Sequence, residues 1–452
     1  MRQAADAFAA RRRPGLRAAA LGLVGGLLLA AAAVAWIDRA PDRASDRVSD
    51  RATDRLRSAT ATDAADADAR ARGAYLARLG NCASCHTARG GVAYAGGRGL
   101  PTPFGTVYAG NLTPDPGSGL GAWSADDFWQ ALHHGRSRDG RRLAPAFPYT
   151  EFTRVSRADS DALYAFLRSL PPVVQAAPAS GLRFPFNTQA ALAVWRALYF
   201  RPADPAEAAA LPPSGATAAW QRGAYLVRGL GHCAACHAPR NALGATRQAE
   251  QLAGGALPMQ PWFAPSLAPL AGVPAARQQQ DLVDLLRSGL SSRGVASGPM
   301  AEVVVGSTQH ASEQDLEAIA TYLLSLPAQP APSRQPAGAE AAEAANGAQR
   351  ERGAVLYGDR CAECHGRQGE GAAGIYPALA GNPSVTLEQP DNALQVVRHG
   401  GFAPATGRNP RPYGMPPSEL DAQQRADVLT YIRQSWGNQA PAVTILQSLR
   451  AP

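Results

Sequence analysis

Hydrophobic and polar positions fall in blocks along this 452-residue chain. Ala18 to Ile37 form twenty residues without a charge. At about 1.5 Å per helical residue, such a stretch spans roughly 30 Å, the thickness of a bilayer core. The next stretch, Asp38 to Arg72, reverses the pattern, with eight Asp, eight Arg and Asp-Arg recurring every four residues from Asp38 to Asp54. Having almost nothing apolar to bury, it predicts a solvated tether, disordered or marginally helical. Three short helical patterns then open on one phrase: Arg72-Gly73-Ala74-Tyr75-Leu76, Arg222-Gly223-Ala224-Tyr225-Leu226 and Arg352-Gly353-Ala354-Val355-Leu356. Three periodic apolar stretches answer them, Leu163 to Leu167, Ile319 to Leu324 and Val428 to Ile432, and predict closing helices.

Each opening helix runs into the pentapeptide Cys-x-x-Cys-His: Cys82, Cys85 and His86; Cys233, Cys236 and His237; Cys361, Cys364 and His365. These use every cysteine in the chain. The motif is the attachment signature of c-type haem. Two thiols add to the vinyl groups of one porphyrin, and residues i, i+3 and i+4 share a helical face, so the imidazole reaches the iron as proximal ligand. Structural zinc would need four ligands per metal, which leaves one of three such motifs unmatched. A redox dithiol does not require His after the second Cys, three times out of three.

A helix before the haem, a helix closing the unit and Gly/Pro-rich loops between them make a mainly α fold of three tandem cytochrome c-like haem domains. Pro171-Pro172 and the Pro/Ala-rich stretch from Pro327 to Ala345 set boundaries. The expected divisions are a signal peptide or membrane anchor (1–37), the tether (38–71), domain 1 (72–177), a connector (178–217), domain 2 (218–328), a linker (329–348) and domain 3 (349–452). The connector holds the aromatic-rich run from Phe184 to Phe200, with Trp195 and Tyr199. It reads as a packed brace between domains, or as a partner or membrane contact.

Charge changes the picture little. Of the formal +8, the residues before position 18 contribute +4, from Arg2, Arg11, Arg12, Arg13 and Arg17 against Asp6. Half the excess is thus a targeting flank, each haem adds two propionates, and no nucleic-acid footprint remains. Arginines before the apolar stretch, and none immediately after it, keep the N-terminus in the cytoplasm and export the rest. Ala33-Val34-Ala35 also fits a cleavage site, so the stretch is either an anchor or a removable signal. Both place the chain on the periplasmic side of the bacterial inner membrane, where c-type haem is attached.

An electron-transfer haem needs a sixth ligand, and Met opposite His raises its potential. Met300 lies 67 residues after Cys233 and Met415 lies 54 after Cys361, each in a Gly/Pro loop. Both read as iron ligands. The first unit has no methionine, and a comparable count reaches Phe147, 65 residues after Cys82. Phenylalanine cannot bind iron, which leaves His133, His134, water or an open site. Met259 reads as core.

Further segments carry a resemblance. Pro101 to Tyr108, Asn111-Leu112-Thr113-Pro114-Asp115, Gly121-Ala122-Trp123-Ser124 with Asp127-Phe128, Arg183 to Asn187 and Ser435-Trp436-Gly437-Asn438 resemble segments of the tri-haem cytochrome c subunits of membrane-bound bacterial dehydrogenases. The likeness covers residues 73 to 440. It implies an electron-transfer subunit without substrate chemistry of its own. The expected donor is a catalytic partner holding pyrroloquinoline quinone, flavin or molybdenum, and the expected acceptor is quinone or a terminal oxidase at the cytoplasmic membrane. Relatives paired with alcohol dehydrogenases usually carry Met where Phe147 stands. The Ala-Phe-Pro-Tyr form here looks more like those paired with molybdenum hydroxylases. The rival reading is a haem enzyme, of peroxidase or small-ligand-binding type, using an open first haem.

Six thiols complete three sites and leave none for a disulfide. Intact mass should therefore show three covalent haem additions, and free thiol in the mature protein would contradict the assignment.

Overall fold

The structure, a computed structural model, describes residues 59–204, 216–247, 252–328 and 339–450. The expected leader and most of the tether lie outside the described residues. Helix α1 (Ala59–Leu79) reaches back into the stretch assigned to the tether, because alanine there favours helix strongly enough to extend the turn already begun at Arg72. It is followed by α2 (Ala125–His134) and α3 (Arg157–Arg168). The connector supplies α4 (Gln189–Tyr199). The next segment contains α5 (Ala218–Tyr225), α6 (Ala275–Ser288), α7 (Pro299–Gly306) and α8 (Glu313–Leu324). The last contains α9 (Ala339–Arg360), α10 (Asp391–His399), α11 (Ala422–Gln434) and α12 (Ile445–Arg450). Helix α9, also alanine-rich at its start, likewise begins inside the expected linker.

The repeated Arg-Gly phrase marks three helix crossings: α1 on α3, α5 on α8 and α9 on α11. A Cβ on Gly73 would stand 1.9 Å from the Ala162 carbonyl oxygen, one on Gly223 1.9 Å from that of Ala318, and one on Gly353 2.1 Å from that of Asp427. Backbone touches backbone, which only glycine permits. The preceding arginine locks each crossing. Arg72 Nε donates to Asp159 Oδ1 at 2.7 Å. Arg222 and Arg352 grip Asp315 and Asp427 with two bonds each, at 2.8 and 2.8 Å and at 2.7 and 3.0 Å. Asp159 and Asp315 stand one turn before the crossing residue, whereas Asp427 is itself the crossing residue.

From repeat arginine to first cysteine the chain runs ten, eleven and nine residues in the three segments. The extra residue of the second is absorbed by a π-helical turn, Leu226–Leu230, which continues α5. Without it, one added residue would swing the motif about 100° around the helix axis.

One apolar core serves the first two segments, joining Leu76, Leu79, Phe152 and Leu163 to Leu226 and Leu230. The third has its own, around Tyr357, Leu394, Leu429 and Ile432. Strand content is small. Strands β1 (Gly99–Thr102) and β2 (Gly105–Tyr108) form an antiparallel hairpin, and β3 (Gly181–Leu182) from the connector pairs with β2, Gly105 opposite Leu182. Phe104 packs on Phe186 at 4.4 Å.

The connector is a brace on one side. Arg196 of α4 is buried, donates to the His134 carbonyl at 2.5 Å and lies over the Phe200 and Tyr149 rings. Trp195 Nε1 donates to the Leu243 carbonyl in the second segment at 2.9 Å. Its other side leaves Phe184, Val194 and Leu198 exposed.

Two glycines on one helix separate packing from propensity. Gly353→Ala should cost about 1–3 kcal/mol through overpacking at the crossing. Gly358→Ala, where an added Cβ meets nothing within 4 Å, should stabilise by about 0.5–1 kcal/mol. Denaturant midpoints of the two variants check both signs.

Candidate haem sites

All three Cys-x-x-Cys-His motifs fold into a single helical turn. The imidazoles share one arrangement. His86 Nδ1 donates to the Gly110 carbonyl at 2.7 Å, His237 Nδ1 to that of Pro265 at 2.7 Å and His365 Nδ1 to that of Pro377 at 3.0 Å. With Nδ1 committed to a carbonyl, the lone pair is fixed on Nε2 and the ring plane is held, as a metal-ligating histidine requires. Burial pulls the pKa of all three below the ordinary value and keeps them in the neutral, ligating form. Burial, reinforced by the neighbouring thiol, pushes Cys82 and Cys233 up to about 12 and Cys361 to about 11. Thiols held protonated in this way are weak nucleophiles unaided.

The backbone of each histidine is held as its ring is. Gly96 N–H donates to the His86 carbonyl at 2.7 Å, Gly254 to that of His237 at 2.8 Å and Gly371 to that of His365 at 2.8 Å. All three glycines have positive φ, 79°, 90° and 66°. A Cβ at each would strike the segment presenting the ring's carbonyl, at Gly110, Ala264 or Tyr376. Sequence reasoning missed these residues. They fall ten, seventeen and six positions after their histidines, so no common spacing betrays them.

Two of the segments singled out in the sequence tie down these carbonyl loops. Asn111 follows Gly110; its Oδ1 accepts from the Thr113 amide at 2.8 Å and its Nδ2 donates to the Val173 carbonyl at 2.7 Å. Asn438 accepts from Gly381 N–H at 2.8 Å and donates to the carbonyls of Leu379 and Ile432, fixing the loop beyond Pro377. Gly121 to Asp127 has another task, since Ser124 and Asp127 form the capping box that starts α2.

In each segment a later helix ends at a glycine, Gly135, Gly289 or Gly400, and a short hairpin or bridged turn follows. The candidate sixth residue lies in or just after it. Met300 is half-buried at the start of α7, and Met415 is half-buried in a two-residue strand paired with Gly401–Phe402. Phe147 occupies the corresponding place in the first segment, half-buried and 5.4 Å from the Phe152 ring. His133 and His134 are buried at the end of α2. His133 stacks on Trp129 at 4.3 Å, and the His134 carbonyl is the one that Arg196 holds. Met259 is not core. It is 63% exposed with φ 58°, in the turn between the two strands of a hairpin.

Among the described residues, no three His, Cys, Asp or Glu side chains gather into a metal cage. The cytochrome c profile matches residues 70–171, 221–327 and 350–436. The chain belongs to the cytochrome c family. This cytochrome c is 40% identical over 414 residues to the alcohol dehydrogenase (quinone) cytochrome c subunit of Gluconacetobacter polyoxogenes, covering 86% of both chains. It is 37% identical to the gluconate 2-dehydrogenase cytochrome c subunit of Pantoea cypripedii, over 85% of this chain and 89% of that one. A nicotinate dehydrogenase subunit of Pseudomonas putida is 41% identical over 82% of this chain, which spans 30% of that longer protein. Among the described residues, no helix is long and apolar enough to cross a membrane.

The approach to Met300 depends on Gly298, whose φ of 55° and ψ of −136° suit glycine alone, and whose added Cβ would lie 2.5 Å from the Trp262 ring. Gly298→Ala should cost about 1–3 kcal/mol of stability through that strain, measured as a lower thermal midpoint.

Proposed function

We propose that this cytochrome c is the tri-haem electron relay of a periplasmic dehydrogenase complex at the bacterial inner membrane. Three tandem domains would each carry one haem c, on Cys82 and Cys85, Cys233 and Cys236, and Cys361 and Cys364. His86, His237 and His365 are the proximal ligands, and Met300 and Met415 the distal ligands of the second and third sites. Substrate oxidation belongs to a partner chain, of quinoprotein, flavoprotein or molybdenum type, and the electrons pass on to quinone or a terminal oxidase.

The observation that carries this reading is the carbonyl held by each imidazole Nδ1, made alike in three segments by loops of different length. When bound, haem supplies one-electron chemistry at iron. The protein's part is to hold Nε2 toward the iron, keep the imidazole neutral, offer a thioether or withhold one, and fix the spacing between sites. A Met thioether favours ferrous iron, so the second and third sites should sit at higher potential than the first. The names of the relatives span alcohol, gluconate and nicotinate dehydrogenases, and the Ala-Phe-Pro-Tyr form leans toward a molybdenum partner.

A second reading attaches to Phe147, which places a ring where the other segments place a thioether. It leaves the first haem to His133, His134, water or a small ligand such as carbon monoxide.

A redox titration with carbon monoxide binding tests the proposal. The wild type should show one low-potential, ligand-accessible haem and two His/Met haems. Phe147→Met should raise the first potential and suppress carbon monoxide binding. Met300→Ala and Met415→Ala should each lower one potential and abolish its near-infrared Met-to-iron absorption. Three equivalent His/Met haems in the wild type would refute the ligand assignment.

A further inference from the structure

We infer that Tyr75 and Tyr225 are reciprocal caps that weld the first two segments into one pseudo-symmetric electron-transfer module, positioning the first Cys-x-x-Cys-His turn against the second. The inference rests on the reading of those sites as haem sites.

A helix N-terminus leaves backbone N–H groups unsatisfied, and a Ser or Asp N-cap with a suitable N3 side chain closes the box within one chain segment. Helix α11 does this alone. Asp421 accepts from the Gln424 amide, and Gln424 Oε1 accepts from the Asp421 amide at 3.0 Å. Helices α3 and α8 have the same first half, with Ser156 accepting from the Asp159 amide and Ser312 from the Asp315 amide. Their N3 carboxylates, however, are drawn away to Arg72 and Arg222.

The missing half comes from the other segment. Tyr225 Oη accepts from the Ser156 amide at 3.3 Å and donates to Asp159 Oδ2 at 2.5 Å. Tyr75 Oη accepts from the Ser312 amide at 3.0 Å and donates to Asp315 Oδ2 at 2.7 Å. Residue i contacts j while the equivalent of j contacts the equivalent of i, the signature of an isologous pair. Both tyrosines pack against the shared apolar core that holds Leu76 and Leu226.

The third segment lacks both halves of this code. Val355 stands where the tyrosines stand and is 65% exposed, and Gln424 stands where Asp159 and Asp315 stand. A segment that caps itself has no use for a tyrosine from elsewhere, and it shares no core with the others.

The pairing brings the sites together. A Cβ on Gly80 would meet Leu230 Cδ1 at 3.2 Å, Ser307 Oγ donates to the Leu79 carbonyl at 2.8 Å, and Phe152 lies 5.3 Å from the His232 ring. Leu79 and Gly80 lie three and two residues before Cys82, and Leu230 and His232 three and one before Cys233, so the contacts border the attachment turns.

The test uses the full-length haem-loaded protein with the single variants Tyr75→Phe and Tyr225→Phe. Each keeps the ring and leaves the opposite cap closed, so the fold is held. Hydrogen exchange should rise by about tenfold or more, the factor that a charge-assisted hydrogen bond is worth, and should do so in a crossed pattern. Tyr225→Phe should release the first turn of α3, and Tyr75→Phe that of α8, while α11 and the control Val355→Ala stay at wild-type values. After flash reduction, electron equilibration between the first and second haems should slow in the double variant, with the individual potentials unchanged. Loosening confined to the mutated segment itself, or an unaltered equilibration rate, would overturn the proposal. The haem reading beneath it is judged separately, by whether the wild type carries haem at both motifs in its intact mass.

Discussion

The structure hangs on backbone contact at three glycines. Where Gly73, Gly223 and Gly353 meet the carbonyls of the closing helices, no side chain separates the two helices, and the arginine before each glycine is thereby brought within reach of a buried carboxylate. That contact sets how far the opening helix can lie from the closing one. The Cys-x-x-Cys-His turn follows nine to eleven residues later, so the crossing also sets where the thiols and the imidazole emerge. The loops that hold the imidazole differ in length, while the crossing recurs in all three segments.

Much of that frame was legible as pattern. The pentapeptides, the Arg-Gly phrase and the periodic stretches each correspond to an element, since covalent attachment, close packing and burial all restrict residue type at fixed local spacing. What escaped depends on partners that no local spacing records. Gly96, Gly254 and Gly371 act alike but lie at unequal distances from their histidines. Asp427 is one turn out of register with Asp159 and Asp315, and the consequence of Tyr75 appears only once Asp315 is beside it. Met259 went astray for the opposite reason: a methionine among proline and tryptophan looks apolar in sequence, while the hairpin puts it at the tip.

The two junctions between segments differ in kind. The first is a shared hydrophobic core with buried charged hydrogen bonds, which resembles the interior of one domain. The second is made by a few polar side chains and one proline. Asn392 exchanges two hydrogen bonds with the Phe263 backbone at 2.8 and 2.9 Å, Thr406 Oγ1 donates to the Ser288 carbonyl at 3.2 Å, and Pro404 fills the space over Gly289. Sparse polar contacts of this sort are typical of junctions between domains. The first two segments thus share an interior, while the third meets them through a smaller and more polar contact.

The crossed tyrosines also impose an order on assembly. The bond from Tyr225 to Asp159 closes a loop of 66 residues, and that from Tyr75 to Asp315 closes one of 240. Loop-closure entropy grows only with the logarithm of length, so the longer closure costs about 1 kcal/mol more, but it also waits for far more chain to be made. Synthesised from the N-terminus, the first segment has its thiols, its histidine and its closing helix long before residue 225 arrives to finish that helix's end. The first pair of cysteines is therefore made before the N-terminus of α3 is capped, and the second segment supplies that cap.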